Sequence, residues 1–418
     1  MLADLFKEDN LNKPQYSTES LMVALEHFNH VQDNFEHLVA TMEELEELED
    51  TIETLQGADK VSETETFMVH SRLQDLGDTL GVDSVNVSLE DATHDPHAYL
   101  AVSMEAVSGM WNRIKQLYVA DFQQGIDAWV QLFSTADGWG RRQQGRIHKL
   151  RQEWRAKKPE LNEKRHKSSL AGTSLPQLFA LNGRFSTDPV GDLANDYQYA
   201  KYISNQYPKD LAVYLERVRS ILGAGVYDSS AKFESTVLEK MIKLDHPSTV
   251  FKGKGVGEGN VLLGNRGLEI KKGRGVKPVS SDKRHQALAD LCVKTYVKEY
   301  VFTWANLNSG VLEDFYFTTD DVDKMLDHAD AYCQLIIDAK TQFAPLTRAF
   351  KNLANSTKKM NNIDGLDPVN KKVFKQVLSF TRGLTRYSKT PYRIELNRIM
   401  NLVPGIRILA SRTIATSK

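Results

Sequence analysis

The sequence predicts a mainly α-helical protein, and three observations carry that prediction. Apolar residues recur at three- and four-residue spacings over long windows, first within 17–56 and again from Ala98 to Phe133. The one abrupt change of composition is the glycine-rich stretch 250–279, the single segment with a clear β signal. Charge is divided along the chain. Up to and including Glu105 there are 24 Asp/Glu against four Lys/Arg, a net of −20; after it there are 31 against 49, a net of +18. The total of −2 and the pI near 6.6 therefore describe neither part.

A chain of 418 residues, 41% hydrophobic and 26% charged, has a folded composition and length for two or three domains. Four segments are expected: 1–105, acidic and helical; 106–170, amphipathic then basic helices; 171–310, mixed helical with the hairpin region 250–279; and 311–418, a C-terminal helical bundle, basic at its end. No run approaches the roughly 18 apolar residues of a membrane helix. The opening MLADLFKEDNLNK does not read as a secretory signal. Cys292 and Cys333 form no zinc or disulfide spacing and read as reduced thiols of a protein made in a cytoplasm.

The first helix is expected over 17–56, with Ser17 and Thr18 as caps and Glu19 in the first turn. Phe28, Phe35 and Met42 recur every seven residues, and Val31, Leu38, Leu45 and Ile52 fill the alternate stripe, a coiled-coil-like seam whose register breaks at Glu49. Its partner is another copy of the chain or a helix of the same chain. A second helical stretch is expected around 66–80, and Pro96 ends what precedes it. From Ala98 the stripe Leu100, Met104, Val107, Trp111, Ile114, Tyr118, Phe122, Ile126, Trp129 and Phe133 forms one face.

After ADGWG, read as a turn, RRQQGRIHKLRQEWRAKKPELNEKRHK holds eleven Lys/Arg against three Glu. These cations cover more than one helical face, so either a phosphate-contacting surface or an electrostatic partner within the chain explains them. Helices around a loop are expected over 174–224. Then Asn260–Leu263 and Leu268–Lys271 read as a hairpin joined by GNRG, followed by helix over 283–306. LEDFYF is a short extended piece, and 319–360 a long helix interrupted or kinked at Pro345. The remainder is helical around Pro391 and Pro404. From Lys371 onward it has eleven Lys/Arg and one acid, Glu395.

Catalytic chemistry finds no foothold. GKGVGEG is not GxGxxG in any register, and no P-loop occurs. His27, His30 and His37 lie off the apolar seam and read as polar-face residues, and Asp320, Asp321 and Asp323 as helix-start residues. No nucleophile or metal-ligand motif is present. The expectation is a non-enzyme with no cofactor and no metal.

ESLMVALEHF, LGVDSVNVSLEDATHDP, then LAVSMEAVSGMWNRIKQ followed by a Lys/Arg-rich helix, together with LLGNRGLEI, TTDDVDKMLDHAD and a basic C-terminal helix, make a chain that resembles the internal head proteins of large tailed bacteriophages. The resemblance implies a virion protein, assembled in the host cytoplasm into the prohead and trimmed by a maturation protease that cuts after a Glu with a small residue two places before it. Ser/Ala-x-Glu occurs at Ser17-Thr18-Glu19, Ala24-Leu25-Glu26, Ser88-Leu89-Glu90 and Ser103-Met104-Glu105. The last lies where −20 gives way to +18, so Ser103, Met104 and Glu105 are the first candidate cleavage site. Ser88, Leu89 and Glu90 are the second, leaving the Ala98–Phe133 pattern whole.

Segment 1–105 is then a propeptide-like acidic leader. The basic remainder would contact packaged double-stranded DNA, without sequence preference, through Arg141, Arg142, Arg146, Lys149, Arg151, Arg155, Lys157, Lys158, Lys371, Lys372, Lys375, Arg382 and Arg386. Other expected partners are capsid and prohead proteins, the protease and further copies of the chain, with no membrane. Two other readings stand beside it: a permanent scaffold or capsid-lining protein acting through helical self-association without DNA binding or cleavage, and an enzyme with a dispersed carboxylate pair.

Overall fold

The computed structural model describes residues 17–82, 95–161, 166–168, 178–181, 184–186, 188–223, 227, 229–251, 262–264, 266–273, 275–293, 295–301, 315–359 and 365–416. It is mainly α-helical, and its contacts divide into two units: Val23–Leu132, and Phe133–Lys418 together with Met1–Met22.

Three helices build the first unit: α1 (Thr18–Gln56), α2 (Glu63–Leu80) and the leading part of α3 (Pro96–Lys157). α2 opens on a reciprocal cap, in which the Glu65 amide donates to Ser62 Oγ at 3.3 Å and the Ser62 amide to Glu65 Oε2 at 2.8 Å. It closes at Gly81, whose φ of 61° is a left-handed conformation open to glycine at no steric cost. The seam of α1 is buried against chain neighbours. Leu38, Met42, Leu45, Leu48, Ile52 and Leu55 pack with Val69, Leu73, Leu76 and Leu80 of α2 and with Tyr99, Leu100, Val107, Met110 and Ile114 of α3. The stripe does not stop at Glu49: Leu48, Ile52 and Leu55 carry it to the end of α1 by steps of three and four. Aromatic pairs extend it backwards, Phe28 with Trp129 at 5.1 Å and Phe35 with Tyr118 at 5.3 Å.

α3 continues unbroken through ADGWG, which corrects the turn expected there. The reason lies in packing. Trp139 is fully buried and donates to Thr18 Oγ1 at 3.1 Å. A Cβ on Gly140 would lie 3.0 Å from Ile337 Cγ1 and 3.2 Å from the Cys333 carbonyl. The glycine serves close helix approach instead of chain reversal.

The second unit is built on α4 (Pro189–Lys201), a π-helical turn (Tyr202–Gln206), α5 (Tyr207–Leu222), α6 (Lys283–Leu291), α7 (Thr319–Lys359), α8 (Pro368–Gly383) and α9 (Thr385–Thr416). α7 passes through Pro345 without ending, and α9 through Pro391 and Pro404. α8 starts on an Asp-Pro pair: Asp367 Oδ1 accepts the Asn370 amide at 2.9 Å while Pro368 takes the first helical position.

The β structure is small and differs from the expected hairpin. Arg266–Lys272 pairs antiparallel with Thr295–Val301, Leu268 opposite Glu299, so of the helix expected over 283–306 the described residues form α6 followed by a strand, and 302–306 lie outside them. Of the expected hairpin, Asn260, Val261 and Asn265 lie outside the described residues, while Leu262 and Arg266 form an antiparallel bridge with Gly264 at φ 85°. The longer ladder lies with 295–301, where TYVKEYV holds three β-branched and two aromatic residues, types that favour a pleated surface. Phe315–Phe317, within the expected extended piece, pairs with His166–Ser168. A two-residue ladder joins Ala180–Leu181 to Arg184–Phe185.

Among the described residues of the second unit, Asp196, Glu395 and Arg398 are charged side chains buried together. Arg398 Nη1 is 2.5 Å from Asp196 Oδ2, and Arg398 also forks onto Glu395, with Nε to Oε2 at 3.1 Å and Nη2 to Oε1 at 2.5 Å. Tyr332 donates to Asp196 Oδ2, and the Leu263 amide to Oδ1 at 3.1 Å. Burial pushes the Glu395 carboxyl up, an effect the Arg398 charge opposes. The single acid of the basic C-terminal run is thus spent inside the protein.

Candidate nucleic-acid interface and cleavage segments

Ser103, Met104 and Glu105 fall at the eighth to tenth residues of α3, about its third turn. Ser103 is fully buried and its hydroxyl donates to the Tyr99 carbonyl at 2.9 Å; Met104 is partly buried and Glu105 exposed. A protease cleft requires extended backbone, so a cut here needs local unwinding of a helix that is anchored by Tyr99, Leu100, Val107 and Met110. Ser88, Leu89 and Glu90 lie outside the described residues, in the segment between α2 and α3. Ser17-Thr18-Glu19 is at the start of α1, and Ala24-Leu25-Glu26 is inside it.

The basic segment of α3 has two faces. One packs antiparallel along α7 as a ladder of matched contacts. Phe133 meets Phe343 at 5.4 Å between ring centres, Gln144 donates to Gln334 at 3.2 Å, Arg151 pairs with Asp327 at 2.8 Å, and Lys158 with Asp323 at 2.5 Å. The buried Trp154 donates to the other oxygen of Asp323 at 2.9 Å. Arg141 pairs within its own helix to Asp137 at 3.1 Å, and Lys157 donates to the Ile414 carbonyl at 3.1 Å. Arg141, Arg151, Lys157 and Lys158 thus serve, at least in part, as internal electrostatic partners. Each exposed pair contributes at most about 1 kcal/mol, but together they set the register of α3 on α7.

The other face of α3 carries Arg142, Arg146, Lys149 and Arg155, with Arg146, Lys149 and Arg155 exposed and Arg142 partly buried. In α8, Val373, Phe374, Val377 and Phe380 turn inward, leaving Lys372 exposed and Lys371, Lys375 and Arg382 partly so. Arg386 belongs to α9. Two features of these faces are not evident from the sequence. Asp323 and Asp327 are helix-start or surface acids until α7 is set against α3. Arg407 is one of many C-terminal cations until α9 is set beside Arg146. The usable signal is complementarity: acids at 320, 323, 327 and 330 follow the same three- and four-residue steps as Arg151, Trp154 and Lys158.

Among the described residues no helix is long and apolar enough to cross a membrane. His27, His30 and His37 are exposed on α1, and Asp321 caps α7 by accepting the Thr318 amide at 2.8 Å.

The family model of the phiKZ-like phage internal head proteins matches residues 23–394. The chain belongs to this family. No curated protein and no solved structure matches it. The match takes in all of the anionic unit and every residue of the α3–α7 ladder, and reaches into α9 as far as Ile394 of this internal head protein. The family's description places its members within a phage head, in a capsid context.

Proposed function

We propose that this internal head protein enters the prohead with its anionic N-terminal part in place, loses that part to the maturation protease, and then contacts packaged DNA through its cationic unit. One observation carries the reading: the division of charge follows the division of the fold. Val23–Leu132 holds 22 Asp/Glu against four Lys/Arg, a net of −18, and the other unit has a net of +16. A folded anionic module repels nucleic acid while the shell assembles in the host cytoplasm, and its loss leaves a protein with long-range attraction for phosphates. Contacts to DNA through Arg146, Lys149, Arg155 and Lys372 would be non-specific and strongly salt-dependent.

Of the two cleavage positions, Glu105 meets a structural obstacle, because Ser103 is buried and bonded within α3 and a cut there needs local unwinding. Mass spectrometry of mature particles tests the trimming. The expected result is depletion of peptides from residues 20–85 relative to those after 110; equal recovery overturns it. Filter binding of the polypeptide extracted from particles tests the DNA contact, where affinity that does not fall with salt overturns it.

A second reading is a permanent capsid-lining or scaffolding protein that acts through helical association. The core shared by α1, α2 and α3 favours it, since a single cut leaves the acidic helices bound through fifteen buried side chains. Full-length mass in infectious particles decides for it.

A further inference from the structure

Among the described residues, three neighbouring arginines of the cationic unit have no carboxylate within ion-pair distance. Arg142 and Arg146 are one turn apart on α3. α9 runs beside this part of α3 in the same direction: Phe133 meets Tyr392 at 5.3 Å between ring centres, and further along Lys157 donates to the Ile414 carbonyl at 3.1 Å. Arg146 on α3 and Arg407 on α9 fall between those two rungs. Their neighbours Arg141, Arg151 and Lys158 are ion-paired, whereas among the described residues Arg142, Arg146 and Arg407 make no ion pair. Arg142 Nε is buried with no acceptor.

The crowding shows in the protonation of Arg146 and Arg407. Burial first and the Arg142 charge second hold the Arg146 guanidinium below its ordinary range, and burial first and Arg146 second do the same for Arg407. Like charges that are partly desolvated, with a buried donor unmet, are unfavourable in isolation. An oxyanion removes the repulsion and accepts the unmet N–H groups, and the planar guanidinium fork matches phosphate oxygens.

We propose that Arg142, Arg146 and Arg407 form a phosphate-binding site, and that the phosphate is supplied by the backbone of packaged DNA. The second clause rests on the DNA association proposed above. Arg141, Arg151, Lys157 and Lys158, already engaged, hold α3 in place and contribute little to it.

Two measurements test this. In purified mature particles, ultraviolet cross-linking is expected to join DNA to peptides containing Arg142–Arg146 and Arg407. Cross-links confined to 371–382 overturn the site while the DNA association stands; cross-links nowhere in the chain overturn the DNA source. With the full-length chain, thermal unfolding is compared in inorganic phosphate and in chloride at equal ionic strength. Phosphate is expected to raise the melting temperature of the wild type and to have less than half that effect on R142Q/R146Q/R407Q. An equal rise in both overturns the site. A rise lost in the variant, without cross-links, assigns the site to free phosphate instead of DNA. Arg146→Gln alone separates this from a structural role: without phosphate at low salt it is expected to melt no lower than wild type, because it removes repulsion. A clear drop counts against the site.

Discussion

Arg398 and Asp196 lie 202 positions apart in the chain and meet with 2.5 Å between Nη1 and Oδ2, both side chains almost wholly out of water. The contact ties α9 to α4, and Tyr332 brings α7 to the same carboxylate. Because Arg398 also forks onto Glu395, two buried carboxylates share one cation. Replacing it as Arg398→Met leaves both without a counter-charge. The expected cost is about 3–5 kcal/mol of stability, the usual effect of breaking a buried pair from one side. Urea unfolding measures it, and a loss under about 1 kcal/mol shows that the pair is dispensable.

Two glycines of the same helix give opposite expectations. Gly140→Val forces atoms between α3 and α7, where even a Cβ meets Ile337 at 3.0 Å, and a loss of about 1–3 kcal/mol is expected. Gly109 is exposed, with nothing within 4 Å of the place a Cβ would take, so Gly109→Ala gains about 0.5–1 kcal/mol from helix propensity. Thermal unfolding of the two variants should shift in opposite directions. A shared direction removes the close-approach account of Gly140.

A single nick between α2 and α3 should not separate the pieces, so depletion of the leader from particles takes further cuts within it. Each buried side chain of the shared core contributes roughly 1.5–3 kcal/mol of gross transfer free energy, and the core includes Leu45, Leu73 and Ile114. With a protease site engineered at residue 90, the two fragments are expected to co-elute in buffer and part in urea. Separation in buffer would show that trimming by itself releases the leader. Leu73→Ala, expected to cost about 2–5 kcal/mol, should lower the urea concentration needed.

Asp367 sets a pH dependence at the start of α8. The Ser230 hydrogen bond first, and those to Asn370 next, lower its carboxyl to about 2. The folded value lies below the unfolded value of about 3.9, so the contribution is complete above pH 4 and is lost as pH falls towards 2. Asp367→Ala should cost about 0.5–2 kcal/mol at pH 7 through loss of the cap. The gap from wild type should narrow as pH drops from 4 to 2, read by denaturant unfolding at each pH. A gap that stays constant over that range counts against an ionised cap.

Periodicity and charge made the helices legible. The α1 seam, the stripe of α3 from Leu100 to Phe133 and the acidic first part are local patterns, and a helix face repeats with the backbone's own period. The resemblance to internal head proteins likewise rested on stretches that can be read without folding. Three things were decided only when distant segments met. The partner of strand 266–272 turned out to be 295–301, because a ladder is chosen by packing and not by the nearest turn. Gly140 joined a continuous helix, because close approach to Cys333 and Ile337 outweighs glycine's poor helix propensity. The cations of α3 divided into a face paired with Asp323 and Asp327 and a face left with Arg142 and Arg146. A tally of charges along a chain contains no information about which of them have found a partner, since that depends on the crossing of α3, α7 and α9 in space.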